Sequence, residues 1–324
     1  LLARALQRGE LVAVPTETVY GLAANALDAL ACRRIFRAKG RPASDPLIVH
    51  IHVPGDLARI AVPNDAARKL ARKFWPGPLT LVLPKKSVVP GVVSAGRPSV
   101  AVRMPRHPLL RRLLKLSGLP LAAPSANPFG YVSPTTAAHV QAGLGRKIPH
   151  ILDGGPSAIG LESTIVDLRD PRKPRLLRPG AITRAQLERT LGCRVPPAKA
   201  ARHPSRGAQL APGLLQRHYS PRTPLVLHER IDPRDVPVDK NRREAWLFVA
   251  KPRQLAGANI HWLDARGNLR GAARRLFGEL RALDARGFKR IHVELAPGTG
   301  LAEAINDRLR RAAARAPARM EPTR

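Results

Sequence analysis

Thr16, Glu17, Thr18 and Tyr20 crowd into five positions, directly after the apolar run Leu11 to Val14 and just before Gly21-Leu22. Pro15 ends the strand pattern of that run. Polar side chains at this density make a poor core and a poor solvent-facing loop. They make a good wall for a polar small-molecule pocket at the carboxyl end of a strand, where open α/β sheets bind ligands. Taken alone, the same residues also read as a polar turn that caps the next helix. Lys39 and Arg41 flank Gly40 at an expected helix end. Alternate positions of an extended segment can point two charges the same way. Arginine suits bidentate contact with phosphate or carboxylate, and lysine supplies a mobile point charge. The competing reading is a helix C-terminus neutralised by basic residues. Arg103 closes the apolar run Val100–Val102, before Met104-Pro105. A cation there is a natural carboxylate anchor, or else an arginine snorkelling from a sheet edge.

Other candidates have plain structural readings. His50, inside Leu47–Ile51, reads first as a packed histidine; with His52 it makes at most two ligands of a metal site, which is weak evidence for one. Ser125 and Asn127 can build a turn beside Pro124 and Pro128. Glu162 and Asp167 bracket a strand and are expected to face solvent. Trp75-Pro76-Gly77-Pro78 reads as a rigid corner. No GxxxxGK[ST] loop, complete GxGxxG, HExxH or GxSxG motif occurs. Any nucleotide must therefore be held by basic side chains, hydroxyls and backbone amides.

The elements that must position these residues alternate strand and helix. Strands are expected at Leu11–Val14, Leu47–Ile51, Leu79–Leu83, Val100–Val102, Leu119–Ala123 and Ser163–Leu168. Between them, Asp28 caps a helix that Gly40 ends, Asn64 caps one running to Trp75, Pro108 opens one that Gly118 closes, and Thr183 caps one to Leu191. This is an α/β pattern with strands of both directions possible. Residues 192–222 are rich in proline and arginine, contain no acid and lack periodicity, and so read as a linker. Yet they end in Pro212-Gly213 and His218-Tyr219-Ser220-Pro221, too specific for a passive tether. From 223 to 324 strands resume at Leu225–Leu227, Ala245–Val249 and Ile291–Leu295. A long helix follows Asn268, and a second runs from about Leu301 to Ala314. Three segments are thus expected: 1–191, a linker or lid at 192–222, and 223–324.

The chain has 324 residues, 44% of them hydrophobic, enough for two domains with real cores. Its two cysteines, Cys32 and Cys193, indicate neither a disulfide scaffold nor a cysteine zinc site, and a reducing, cytoplasmic setting is expected. No apolar run approaches the about 18 residues needed to cross a bilayer. Lys and Arg total 56 against 23 acids, a formal charge of +33. The excess is mostly arginine and is spread along the chain. Aromatics are only 4%, whereas a dedicated nucleic-acid module would cluster basic residues with aromatics.

The ordered set Thr16-Glu17-Thr18-Val19-Tyr20-Gly21, Lys39-Gly40-Arg41-Pro42, Pro46–Ile51, Trp75–Thr80, Val102–Pro105, Ala123–Asn127, Glu162–Asp167 and Leu177–Gly180 closely resembles the YrdC-type domain of threonylcarbamoyl-AMP synthases. The run Gly300 to Arg311 resembles the C-terminal domain of the long, two-domain form. The resemblance covers nearly the whole chain. It implies a twisted mixed-sheet α/β domain followed by a smaller Rossmann-like α/β domain. It implies a nucleotidyltransferase that condenses L-threonine, bicarbonate or CO₂, and ATP to threonylcarbamoyl-AMP and pyrophosphate. The product serves threonylcarbamoyladenosine formation beside the tRNA anticodon, by hand-over to a tRNA threonylcarbamoyl transferase complex. It implies that threonine meets Thr18, His50, Arg103, the backbone at Ala123, and Ser163. ATP is implied to meet Arg41, Asp45, Ser99, Ser125, Ser133, Arg178 and Tyr219, with Lys39 and Asn127 near the phosphates. Lys39 and Arg41 would offset charge as pyrophosphate leaves; no general base is assigned. Mg²⁺ is expected with ATP, without named protein ligands. Two alternatives stay open: a basic RNA-binding, translation-associated YrdC-type module without turnover, and a hydrogenase maturation factor sharing the domain, whose acylphosphatase and zinc-finger signatures are missing here. Direct contact with tRNA is likewise open.

Overall fold

A computed structural model of the protein describes residues 1–198, 209–213, 218–237 and 243–314. Local sequence signals set most helix ends. Helix α2 (Ala29–Lys39) begins where the Asp28 carboxylate accepts the amides of Leu30 and Ala31, and it ends at Gly40, whose φ of 65° is left-handed. Asn64 caps α4 (Asp65–Phe74), Pro108 opens α5 (Pro108–Ser117), and Thr183 caps α7 (Arg184–Leu191). Shorter helices are α1 (Leu2–Gln7), α3 (Leu57–Ile60) and α6 (Ala137–Leu144).

Nine strands of the first domain form one mixed sheet. They are β1 (Val12–Val14), β2 (Gly21–Asn25), β3 (Ile48–His50), β4 (Leu79–Pro84), β5 (Ser99–Arg103), β6 (Leu121–Ala122), β7 (His150–Ile151), β8 (Thr164–Asp167) and β9 (Arg175–Arg178). Their order is β7-β1-β2-β6-β3-β5-β4-β8-β9. Parallel pairs (β3 with β5, β4 with β8) sit beside antiparallel ones (β4 with β5, β3 with β6). Side chains alternate across such strands. Val49, Leu81 and Val102 point into the main core with Ile35, Leu70 and Trp75. Ile48, Val82, Ala101 and Ile165 point to the opposite face and meet Ala211 of the 192–222 stretch. That second face carries the candidate site.

The second domain is a four-stranded parallel sheet, order β10-β13-β11-β12, made of β10 (Leu225–His228), β11 (Glu244–Ala250), β12 (Ile260–Asp264) and β13 (Arg290–Glu294). Helices α8 (Leu269–Ala285) and α9 (Leu301–Ala313) pack on this sheet and on the first domain at once. Leu276, Phe277, Ile305 and Leu309 share one buried cluster with Val19, Val132 and Leu161. The approach is close: at Gly160, with φ of 80°, an added Cβ would lie 2.5 Å from Arg274 Cα. Only glycine fits that contact.

The mixed sheet and the second parallel sheet match the expected fold class. Several elements had no clear signal. Strand β2 is Gly-Leu-Ala-Ala-Asn, weak strand formers held between β1 and β6 by pairing on both edges. Strand β9 starts and ends in arginine, and α6 is only weakly amphipathic. Glu162 and Asp167, expected to face solvent, are both buried: Glu162 is paired with Arg308 and Asp167 with Arg169. Of the expected linker, residues 199–208 and 214–217 lie outside the described residues. The described parts are laid down on the sheet: the Ala198 amide bonds Leu176 O, and the Gln209 amide bonds Ser44 O.

Candidate active site

Sheet register assembles the polar cluster. Parallel pairing of β3 with β5 sets His50 opposite Arg103, and antiparallel pairing of β4 with β5 sets Thr80 there too. Ser163, one residue before β8, shares a hydrogen bond of 2.7 Å with the Thr80 hydroxyl. The turn after β1 folds over them, with the Thr16 and Thr18 hydroxyls 2.7 Å apart. Thr18, His50, Arg103, Ala123 and Ser163 line a cavity of about 40 Å³ together with Arg41, Ser125, Arg178 and Tyr219. The site therefore lies on a sheet face, beside Pro212-Gly213 and His218-Tyr219, and not only at strand ends.

Arg103 is buried and held on three sides. Its Nε donates to Gly77 O (3.2 Å), Nη1 donates to Thr18 Oγ1 (2.8 Å), and Nη2 makes a close ion pair of 2.6 Å with Glu17 Oε1. A guanidinium has five N–H donors. The Nη2 ion pair does not reach hydrogen-bond geometry, so donors remain on both terminal nitrogens, where a carboxylate can be taken bidentately. Burial is the largest single influence and would raise the Glu17 carboxyl, but the Arg103 charge together with hydrogen bonds from Arg103 and backbone amides holds Glu17 below its usual range. His50 Nδ1 has no partner. Burial, then the Arg103 charge, pushes the imidazole down to about 3, so it is neutral at pH 7.

The rest of the lining is basic. Arg41 bonds the carbonyls of Asp45 and Pro46, and its Nη2 pairs with the Asp45 carboxylate at 3.0 Å. Arg178 donates to the carbonyl and hydroxyl of Ser163 and to Pro212 O. Lys39 stands behind the wall. Its Nζ donates to Ser125 O (2.6 Å) and Asn127 O (2.5 Å), which props the turn carrying Ser125. Burial, with Arg41 nearby, lowers the Lys39 ammonium well below its usual value.

Pro212-Gly213 and His218-Tyr219 close the cavity. Gly213 has φ of 75°, and a Cβ there would lie 2.8 Å from Tyr219 Oη and 2.9 Å from Arg178 Nη1. Tyr219 is fully buried with φ of 64°, a conformation few non-glycine residues adopt. Its ring stacks on Phe277 at 5.5 Å, and its hydroxyl has no partner. The next amide, Ser220, bonds Gly130 O.

Some expected site residues lie off the cavity wall. Ser133 gives its hydroxyl to Glu162 Oε1 at 2.6 Å. Asn127 donates to Pro128 O and Tyr131 O. Asp45 faces Arg41. Ser99 begins β5, whose far end is Arg103, about 13 Å away at the usual strand rise. Conversely, Glu162, Gly213 and His218 line the cavity without an expected role, and Glu17, also without one, pairs with the lining residue Arg103. Their motifs were visible, but the arginine partners that bury the two acids come from distant sequence.

The acids around the site do not make a metal centre. Glu17, Asp45 and Glu162 each face an arginine, namely Arg103, Arg41 and Arg308. Among the described residues no group of three His, Cys, Asp or Glu side chains could hold a metal ion. These residues do not fit a resident Mg²⁺; the ion would arrive on the ATP phosphates. Among the described residues no helix is long and apolar enough to cross a membrane.

A two-domain α/β protein with a buried, arginine-rich small-molecule site is the class that fold and site define. Residues 4–180 match the Sua5/YciO/YrdC family model, described as telomere recombination, and residues 182–314 match the C-terminal domain of threonylcarbamoyl-AMP synthase. The chain is 43% identical over 320 residues to the threonylcarbamoyl-AMP synthase of Pyrococcus abyssi, covering 95% of this chain and 91% of that protein. It is 39% identical over 325 residues to the Bacillus subtilis enzyme of the same name, covering 96% and 91%. The crystal structure of P. abyssi Sua5 complexed with L-threonine superposes with a TM-score of 0.88 at 40% identity, covering 96% of this chain and 93% of that one. The protein belongs to the two-domain threonylcarbamoyl-AMP synthase family.

Proposed function

We propose that the protein condenses L-threonine, CO₂ or bicarbonate, and ATP into threonylcarbamoyl-AMP, releasing pyrophosphate, and that the product supplies threonylcarbamoyladenosine formation beside the tRNA anticodon. The observation that carries this reading is the set of Arg103 donors left on both terminal nitrogens, in a cavity that Arg103 lines with Thr18, His50 and Ser163. They suit an amino-acid carboxylate, with hydroxyl groups placed for the rest of a threonine. The P. abyssi relative crystallised with L-threonine supports the choice of amino acid.

Neutral amine attacks the carbon of CO₂ and loses a proton, giving a carbamate. A carbamate oxygen then attacks the α-phosphorus, and the bond to the bridging oxygen breaks as pyrophosphate departs. Positioning and charge stabilisation suffice for such a step. Arg103 holds the carboxylate, and neutral His50 shapes the pocket without adding charge. Arg41 and Arg178 face the phosphates, and Lys39 fixes the turn bearing Ser125. Ser133 and Asn127 act on ATP by holding Glu162 and the 127–131 turn, Asp45 by orienting Arg41. Ser99 is assigned to ATP on family resemblance alone.

A cavity of about 40 Å³ is far below the roughly 300 Å³ or more of ordinary ligand sites. Substrate entry therefore requires the stretch carrying Pro212-Gly213 and His218-Tyr219 to lift, and its return shields a labile mixed anhydride from water. The test is pyrophosphate release with threonine and bicarbonate each left out in turn. The formal charge of +33 favours a second reading, a basic RNA-binding module. Salt-sensitive RNA affinity with no nucleotide turnover would select it.

A further inference from the structure

We infer that Arg308 is a positioning residue through which the C-terminal domain sets the ATP side of the active site. The inference rests on the synthase reading above.

Arg308 lies on α9, in the second domain, yet its side chain is fully buried in the first. Its Nε donates to Glu162 Oε2 at 2.9 Å, Nη1 to Pro179 O at 2.9 Å, and Nη2 to Glu162 O at 3.4 Å. Asp307, its neighbour, accepts from Nη1 at 2.8 Å. The guanidinium carbon also sits 5.5 Å from the centre of the Tyr219 ring, a cation–π distance.

Apart from Asp307, each contact reaches the cavity wall or lies one residue from it. Glu162 is itself in the wall and precedes Ser163; Pro179 follows Arg178; Tyr219 is in the wall. Glu162 passes the link on, because its other oxygen accepts from the Ser133 hydroxyl. One side chain thus fixes three separate pieces of the site: the 162–163 turn, the end of β9, and the returning Tyr219.

A purely adhesive role explains this poorly. Buried ion pairs add little stability compared with well-packed apolar side chains, and α8 and α9 already join the domains through Leu276, Phe277, Ile305 and Leu309. Several acceptors in different directions call for the planar fork of arginine, which lysine lacks. Glu162 would otherwise be a buried carboxylate beside Ser163 and Arg178. Arg178 already feels the Glu162 charge, so without Arg308 the acid would compete with phosphate for it.

Four variants test this: Arg308→Lys, Arg308→Gln, Glu162→Gln, and the double Arg308→Gln/Glu162→Gln. The readouts are KM for ATP and for threonine in pyrophosphate release, ATP binding by equilibrium dialysis, and folded fraction by circular dichroism. Arg308→Lys is expected to stay folded, raise KM for ATP at least ten-fold, and change KM for threonine less than three-fold. The double variant is expected to bind ATP no worse than Arg308→Gln alone, since both break one link. If Arg308→Gln does not fold, Arg308→Lys decides. Folded Arg308→Lys with wild-type KM and Kd for ATP overturns the inference, as does activity lost only in proportion to unfolded protein. If the wild-type protein shows no threonine-dependent release, the synthase reading fails instead, and ATP dialysis still decides the role of Arg308.

Discussion

The Arg103 guanidinium meets the Glu17 carboxylate at 2.6 Å, with neither side chain more than 4% exposed. Glu17 also accepts the Arg106 amide, so it is fixed in place. Removing one partner of a buried pair costs about 3–5 kcal/mol because the other charge is left uncompensated. Glu17→Gln is therefore expected to lower stability in the empty protein. A bound threonine carboxylate would restore part of the compensation. Threonine should thus raise the melting temperature of Glu17→Gln more than that of the wild type. Equal shifts in both would show that threonine does not reach Arg103.

Arg103→Ala should raise the threonine requirement at least ten-fold. Loss of a charge-assisted hydrogen bond is worth about 1.5–3 kcal/mol, or roughly one to two decades of affinity. The ATP requirement should change less, because Arg41 and Arg178 are held by other partners, among them Asp45, Pro46 and Pro212. Initial rates at varied threonine and ATP separate the two. Parallel loss of both would point to a structural role.

His50 makes stability depend on pH. Its folded value of about 3 lies below the ordinary histidine value, so between about pH 6.5 and 3 the unfolded chain binds the extra proton. Stability should then fall as pH falls, by up to about 1.4 kcal/mol per pH unit. Arg103 and Glu17 are the charges facing His50. Glu17, lowered overall, adds to the loss at the acid end, while Asp45, raised by burial, opposes it. Urea unfolding at pH 7, 6, 5 and 4 should show a shallower slope for His50→Asn. Parallel curves for variant and wild type would remove His50 as the source.

Much of this site was legible because its residues sit in local motifs. Thr18, His50, Arg103 and Arg178 each close or follow a strand, Ser163 stands just before one, and the sheet brings those ends together. The helix ends at Asp28, Gly40, Asn64 and Thr183 were equally local. What stayed hidden depends on partners far along the chain. Glu162 and Arg308 are 146 residues apart, so nothing near Glu162 marks it as buried. Lys39 looks like a phosphate ligand by type, yet it is turned toward two carbonyls 86 and 88 residues away. Strand β2 owes its form to both neighbours rather than to its own Gly and Ala residues.

Truncation after Leu191 should leave a first domain that folds but works poorly. Apart from Val195, its main core lies before the cut. The cut removes Tyr219 and Arg308, uncovers Val19, Val132 and Leu161, and leaves the Glu162 carboxylate without its cation. A lower melting temperature and at least ten-fold lower turnover are expected in the truncated form. Tyr219→Ala in the full chain should weaken ATP binding and raise hydrolytic loss of product while leaving the first domain folded, with a lower melting temperature from the loss of a fully buried ring. Full activity of the truncated domain would show that the second domain and its leading stretch are a tether.

The most direct measurement is pyrophosphate release by the purified full chain, with mass spectrometry of the nucleotide formed. Release should need threonine, bicarbonate and ATP together, and the product should have the mass of threonylcarbamoyl-AMP. Release that continues without threonine or bicarbonate, or a product that is only AMP from the earliest times, would contradict the assignment.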